Sequence, residues 1–195
     1  DKAVESIQKI ITLIDFKKHE DAILQLIRKL ASSEYQVAKS AGCALIPSVY
    51  SMSSSSLQNE FVQIFYKLCN DQSSQVRKAA SLNLKDLAKY MTTANETDIL
   101  NSLRILMKDN QEFVKLYIID TLIAIAQIPN AQKYQANIVT FLKQLAEDPS
   151  WRTRFSVADK IADLGKAFGK QQTKTYLLPL FIKFLQDPES EIKTI

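Results

Sequence analysis

The sequence predicts an all-α solenoid of antiparallel helix pairs with a period of about 39 residues. The first observation is an acidic residue that returns at steps of 38, 39 and 39 residues, each time with a basic residue six positions later. The second is an apolar stripe with helical spacing on either side of every acid. The acids are Asp71, Asp109, Asp148 and Asp187, and the bases are Arg77, Lys115, Arg154 and Lys193. Each period therefore holds an A helix before the acid and a B helix after it.

The repeats can be placed in order along the 195 residues. A B helix without its A partner comes first, in the half repeat 1–14. Four full repeats follow at 15–54, 55–92, 93–130 and 131–170, and a truncated repeat at 171–195 ends the sequence. In the first full repeat Ser33 stands where the acid is expected, with Lys39 six residues later. Apolar faces left open at both ends indicate a fragment of a single longer array.

Composition argues against several classes of function. Only 3 residues are glycine and 1 is histidine, so we expect no phosphate-binding loop, no catalytic residue, no metal site and no cofactor. No apolar run approaches the roughly 20 residues that a membrane span needs. The 25 basic and 21 acidic residues are interspersed, which suits a solvated surface better than nucleic-acid binding. Two isolated cysteines, Cys43 and Cys69, favour reduced thiols in the cytoplasm, with the nucleus as a further location.

Three residues are expected to shape individual helices. Pro47 lies inside the first full B helix and Pro179 inside the last A helix, 173–186, where each should produce a bend. Gly169 is expected to stop the fourth B helix in the left-handed conformation.

The acids and bases of the repeat are interpreted first as structural. A carboxylate just before the B helix can accept hydrogen bonds from the first-turn N–H groups, a contribution of about 1 kcal/mol per cap. The base six residues later can reach the acid of the neighbouring repeat, so that acids and bases alternate along the turns. This structural ladder is predicted to contain Asp71, Asp109, Lys115, Asp148, Arg154, Asp187 and Lys193.

The residues between acid and base are expected to be largely exposed, because the intra-repeat turn projects from the stack. Tyr35, Phe113 and Trp151 place a ring in three of these turns. Either each ring folds back onto its own A helix, or the rings form a row on one ridge. Exposed aromatic and arginine side chains often anchor protein interfaces, and Arg152 beside Trp151 favours the second interpretation there.

The two-helix unit with an acid and a base six residues apart resembles the HEAT repeat. More narrowly, the chain resembles the scaffolding A subunits of protein phosphatase 2A. The matching stretches follow one order: DKAVESI (1–7), SAGCAL (40–45), DQSSQVRKAAS (71–81), AIAQ (124–127), AEDPSWRTRFSVADK (146–160) and TKTYLLPLF (173–181). The resemblance implies a right-handed α-solenoid without catalytic activity, from the amino-terminal half of such a scaffold.

In that family the turns of these repeats hold a B-type regulatory subunit, whereas missing carboxy-terminal repeats hold the catalytic subunit. Carried over by position, the implied partner-binding residues are Tyr35, Gln36, Gln72, Ser73, Ser74, Arg77, Asn110, Gln111, Glu112, Phe113, Pro149, Ser150, Trp151, Arg152 and Glu189. We therefore expect a phosphatase scaffold that contacts neither nucleic acid nor membrane. The alternatives are a HEAT adaptor such as a nuclear transport receptor, or a nucleic-acid-binding helical-repeat protein.

Overall fold

The computed structural model describes residues 2–195, which contain helices and turns but no β-strand. The predicted all-α class is confirmed, and only Asp1 of the first half repeat lies outside the described residues. The chain divides into two compact units between Leu106 and Met107, inside the predicted third repeat. The repeat boundaries themselves stay predictions.

The first unit contains two A–B helix pairs, flanked by a single B helix before them and a single A helix after them. Its helices are α1 (Lys2–Leu13), α2 (Phe16–Ala31), α3 (Gln36–Tyr50), α4 (Ser55–Cys69), α5 (Ser74–Ala88) and α6 (Glu96–Met107). The B helices α1, α3 and α5 lie side by side, and the A helices α2 and α4 pack against them and against each other. Between the layers Ile27, Phe65 and Leu84 are almost completely buried, because each belongs to a stripe of helical period.

The second unit repeats this arrangement with shorter helices. Its α-helices are α7 (Glu112–Lys115), α8 (Ile118–Gln127), α9 (Gln135–Ala146), α10 (Trp151–Asp159), α11 (Ile161–Phe168), α12 (Lys170–Gln172), α13 (Leu178–Phe184) and α14 (Ser190–Lys193). A 3₁₀ turn at Ala131–Tyr134 leads into α9, and a π-helical turn at Thr173–Leu177 leads into α13. Helix α10 packs against α7, α9 and α14, and α11 packs against α8.

Two predicted B helices are each divided in the structure. The third is split between α7 and α8 at Leu116 and Tyr117, and the fourth is split at Lys160, whose φ and ψ are −101° and 4°. These angles lie in the bridge region, where a chain turns without continuing the α-helix. Neither break contains proline or glycine, so the sequence carries no signal for it.

The two prolines and the glycine that were expected to shape individual helices have different effects on the backbone. Pro47 is buried inside α3, and the helix continues past it to Tyr50. Pro179 occupies the second position of α13, directly after the π-helical turn, so the predicted A helix 173–186 is irregular near its proline and is α-helical only from Leu178. The wider turn precedes a proline that can neither donate a backbone hydrogen bond nor fit a regular helix interior. Gly169 does follow the end of α11, but its φ of 76° and ψ of 171° are not the left-handed helical conformation that we predicted.

One position of the predicted apolar stripes, Phe181, is less buried than its equivalents in the other repeats. Phe181 lies six residues before its acid, where Phe65, Leu103 and Leu142 are completely buried, yet it is 37% exposed. Its side of α13 is therefore partly open to solvent.

The cysteines are two buried free thiols, as predicted. Burial raises the pKa of both, that of Cys69 to about 12, so both are protonated at neutral pH. Within residues 2–195, no helix combines the length and the apolar character required to cross a bilayer.

Candidate functional site in the intra-repeat turns

Each acid of the repeat uses one carboxylate oxygen to shape its own turn. Oδ1 of Asp71 accepts a hydrogen bond from the backbone N–H of Ser73, two residues later, at 2.9 Å. Asp109, Asp148 and Asp187 do the same with Gln111, Ser150 and Glu189, at 2.9, 2.9 and 3.0 Å. This is an Asx turn rather than the first-turn cap that we predicted, because its donor is the residue that precedes the B helix. In the first full repeat Ser33 Oγ takes the same role toward the N–H of Tyr35, at 3.2 Å.

The other carboxylate oxygen accepts from a base of the preceding repeat. In the first unit Lys39 Nζ donates to Asp71 Oδ2 at 2.6 Å. In the second unit Lys115 Nζ donates to Asp148 Oδ2 at 2.5 Å. Arg154 binds Asp187 through two hydrogen bonds, from Nε at 2.8 Å and from Nη2 at 2.9 Å. These ladder side chains are between 8 and 24% exposed, so they are screened far less than surface pairs. In addition to the hydrogen bonds from Arg154, Lys193 contributes its charge to the lowered pKa of Asp187.

The two arginines of the repeat also bind the carbonyl groups of their own turns. Arg77 Nη1 donates to the backbone oxygens of Asp71 and Gln72, at 2.9 and 3.0 Å. Arg154 Nη1 donates to those of Asp148 and Pro149, at 3.0 and 3.2 Å. The guanidinium has five donors, which allows it to bind a neighbouring acid and its own turn together. The ladder arginine therefore fixes both the spacing of the turns and their shape.

A second set of side-chain bonds between turns was not predicted. Ser73 Oγ donates to Gln36 Oε1 at 2.8 Å, and Ser150 Oγ donates to Glu112 Oε2 at 2.6 Å. In both pairs a serine two residues after the acid meets the first residue of the preceding B helix. That recurring serine is the sequence signal that could have revealed these bonds.

The predicted partner-binding residues are less uniformly exposed than expected. The exposed ones are Tyr35, Gln36, Gln72, Asn110, Gln111, Pro149 and Arg152, and the half-buried ones are Ser73, Ser74, Arg77, Glu112, Phe113, Ser150, Trp151 and Glu189. The prediction of largely exposed turns is wrong for the second group, in which Ser73, Glu112 and Ser150 bond to side chains of a neighbouring turn. Tyr35, at 77% exposure, is the most exposed ring of the three.

The Trp151 ring fits part of each predicted arrangement, since it packs against a neighbouring ring and also contacts a side chain of the exposed ridge. It is the first residue of α10, and its ring meets that of Phe155 edge-on, with centroids 6.3 Å apart. The Arg152 guanidinium carbon lies 4.7 Å from the centroid of the same ring, within the range of a cation–π contact. Pro149 precedes the N-cap residue Ser150 and lies two positions before the first helical residue, Trp151. The ring is therefore half-buried, and its remaining surface is open to contact with another protein.

Electrostatic interactions help to hold the last turn, at Asp187, in place. The hydrogen bonds from Arg154 hold the pKa of the Asp187 carboxyl below its ordinary value, and the N–H of Glu189 lowers it further, although burial acts in the opposite direction. The same pair raises the pKa of the Arg154 guanidinium. The carboxylate therefore stays charged at a lower pH than that of an ordinary aspartate.

The turns present docking groups rather than reactive ones. Their carboxylates are already bonded to bases and backbone N–H groups. In the part of the chain that the structure describes, no group of three or more histidine, cysteine or acidic side chains could hold a metal ion. Rings, amides and one exposed guanidinium on stiff turns are suited to binding another protein.

Comparisons with known proteins agree with this architecture. The model of the HEAT repeat matches residues 61–91. The chain is 26% identical to the A-type regulatory subunit of protein phosphatase PP2A from Schizosaccharomyces pombe, over 89% of this chain and 30% of that relative. It is 32% identical to a probable serine/threonine-protein phosphatase PP2A regulatory subunit of Caenorhabditis elegans, over 64% of this chain and 21% of that relative.

A solved structure shows the same fold. A designed armadillo repeat protein in complex with a (KR)4 peptide has a TM-score of 0.58 and 20% identity, with coverage of 99% of this chain and 88% of that one. The curated relatives are named as regulatory subunits, which supports the prediction that this chain is not an enzyme. Residues 61–91 thus match a HEAT repeat, and over about 88% of its length the chain is similar to regulatory A subunits of protein phosphatase 2A.

Proposed function

We propose that this chain is part of the scaffold of a PP2A-type serine/threonine phosphatase and that its intra-repeat turns bind a B-type regulatory subunit. The observation that supports the proposal most is that hydrogen bonds and ion pairs hold the turns in fixed conformations. Each acid binds its own backbone, and Asp71, Asp148 and Asp187 also bind a base of the preceding repeat. Side chains on such turns lose little freedom on association, so more of the contact energy remains as affinity.

The chain spans about 30% of the length of the relatives that it matches. Within a whole scaffold we therefore assign to it only the regulatory subunit, whereas repeats that this chain does not contain would hold the catalytic one. We place the complex in the cytoplasm, with the nucleus as a further location. The row of turns is the only part of this proposal that the present chain must supply.

A direct test measures binding of the 195-residue chain to purified B-type regulatory subunits by isothermal titration calorimetry. We expect a saturable one-to-one complex with at least one class of regulatory subunit. Under the same conditions the isolated catalytic subunit should not bind. Stoichiometric binding of the catalytic subunit, or of none of the regulatory classes, would contradict the assignment.

A matched pair of substitutions locates the surface. Tyr35→Ala removes the 77% exposed ring of the first full turn, and we expect it to weaken binding by about tenfold. Leu82→Ala removes an apolar side chain that is 40% exposed on α5, away from the turns, and serves as the control. Equal loss of affinity in both variants would show that the partner covers the B-helix face instead.

A further inference from the structure

We propose that a cleft between two connectors of the second unit binds an uncharged, extended segment of another protein. One connector, 128–135, leads into α9, and the other, 167–172, joins the end of α11 to the π-helical turn. The cleft has a volume of about 380 Å³, within the range of sites that hold ligands. It is separate from the intra-repeat turns, because α9 begins at the cleft with Gln135 and ends at a turn with Ala146, roughly 17 Å farther along the helix axis.

The backbone on both sides of the cleft is irregular. On one side Asn130 has a φ of 62° and precedes the 3₁₀ turn. On the other side Gly169, with a φ of 76° and a ψ of 171°, separates α11 from α12, and α12 continues into the π-helical turn. Left-handed residues other than glycine and π-helical turns are both frequent at functional sites. The cleft therefore lies among backbone conformations that a regular helix pair does not contain.

The side chains that line the cleft are all uncharged within residues 2–195. The lining consists of apolar groups and carboxamides, although 24% of the residues in the whole chain are charged. A phosphate group or an acidic side chain placed there would lose water without gaining an opposite charge. The absence of charge in the lining thus matches an uncharged occupant and disfavours nucleic acid and anionic lipid headgroups.

Four carboxamides give the cleft its hydrogen-bonding capacity. They belong to Asn130, Gln132, Gln135 and Gln172, and within residues 2–195 none of these side chains has a hydrogen-bond partner. Each carboxamide carries N–H donors and an acceptor oxygen, which are the same functions as those of a peptide group. Several of them around one cleft can therefore pair with the backbone of an extended segment.

Apolar side chains complete the match to a peptide. The half-buried ring of Phe168 and the side chain of Ile138 belong to the same lining as the carboxamides. An apolar side chain of the bound segment that covers this surface is removed from water, which favours binding. The occupant that fits both sets of groups is a segment with an accessible backbone and an apolar side chain.

The test titrates three capped peptides into the ¹⁵N-labelled 195-residue chain and follows the side-chain amide resonances by nuclear magnetic resonance. The peptides are acetyl-Gly-Leu-Gly-Leu-Gly-amide and the two versions with glutamate or lysine in place of leucine. The leucine peptide should shift the resonances of Gln135 and Gln172 saturably, and the charged peptides should not. No shift with the leucine peptide, equal shifts with all three, or equally tight binding of acetyl-leucinamide would overturn the proposal.

Matched substitutions locate the site. Gln135→Met and Gln172→Met each remove a carboxamide and keep the length of the side chain, so each should weaken binding of the leucine peptide by about fivefold, the effect of one lost hydrogen bond. Gln144→Met is the control, because Gln144 is exposed on α9 outside the cleft. All three variants should melt with the original chain. Unchanged peptide binding by Gln135→Met and Gln172→Met, or an equal loss in Gln144→Met, would overturn the site.

A last measurement separates this inference from the proposed function. The peptide titrations require no regulatory subunit, so failure of the chain to bind that subunit leaves their outcome unaffected. In a chain saturated with a B-type regulatory subunit, the leucine peptide should bind as it does to the free chain. Displacement of the peptide by the subunit would contradict a separate site.

Discussion

At the scale of single residues, the fifth position after each acid is a fully buried site of the B helix. Val76, Val114 and Ile192 fill it with apolar side chains, whereas the fourth full repeat has Thr153. The Thr153 hydroxyl is buried without a hydrogen-bond partner within residues 2–195. A buried hydroxyl that has lost water and gained nothing lowers stability.

We therefore expect Thr153→Val to raise the free energy of unfolding by about 1 kcal/mol, since valine has nearly the same shape and no polar atom to bury. Urea denaturation followed by circular dichroism measures the change. Thr140→Val is the control, because Thr140 is exposed and its hydroxyl donates to the carbonyl of Ala136. A Thr153→Val chain no more stable than the original would mean that the hydroxyl is satisfied in solution.

The Arg154–Asp187 pair makes the last turn sensitive to acid. The folded chain lowers the pKa of Asp187, so the stabilisation is complete above the unfolded value of about 3.9 and is lost as the pH falls through the folded value. Asp187→Asn should thus be clearly less stable than the original chain at pH 7, and the difference should shrink toward pH 2. Asp163→Asn, which alters an exposed pair with Lys166, should change stability little at either pH. An Asp187→Asn deficit that persists unchanged in acid would contradict the role of the ion pair.

Some residue-scale contacts cannot be derived from the period. Asn95 lies outside the helices, directly before α6, yet it is 3% exposed and donates to Tyr50 Oη at 2.6 Å and to the carbonyl of Tyr90 at 3.1 Å. Its partner Tyr50 is 45 residues away, more than one period. The periodic pattern predicts which apolar side chains are buried, but it does not predict the burial of a single polar residue between helices.

At the scale of helices, the sequence predicts which side of a helix is buried against its neighbours better than it predicts where a helix is interrupted. The spacing of four and three residues correctly marks the buried side of α9, including Leu142 at 0% exposure. It does not predict the division of the fourth B helix at Lys160 or the π-helical turn before Pro179. Apolar spacing tolerates a break of one residue when the stripes on both sides still face the core.

Leu142 and Phe181 occupy the same position of the repeat but differ in burial. Comparing them therefore distinguishes the effect of burial on stability from the effect of position in the sequence pattern. Leu142→Ala should cost roughly 2–5 kcal/mol, because it empties a completely buried site. Phe181→Ala should cost much less, since that ring is already 37% exposed. Chemical denaturation of both variants gives the comparison. Equal losses would show that another part of the protein covers the Phe181 side of α13 in solution.

At the scale of the whole molecule, the same turn chemistry occurs in both compact units. The first unit contains the Lys39–Asp71 pair, and the second contains Lys115–Asp148 and Arg154–Asp187. The period predicted these pairings of residues, because a base one turn into a B helix faces the next repeat. It could not predict how far each turn side chain is buried, since that depends on bonds between turns such as Ser150–Glu112.

Hydrogen–deuterium exchange of the chain, free and saturated with a B-type regulatory subunit, tests most directly whether the intra-repeat turns are the partner surface. Slower exchange on binding should be confined to residues 33–37, 71–77, 109–115 and 148–154. The connectors between repeats, 51–56 and 128–131, should exchange at unchanged rates. Protection of the connectors with no change in the turns would contradict the proposed surface.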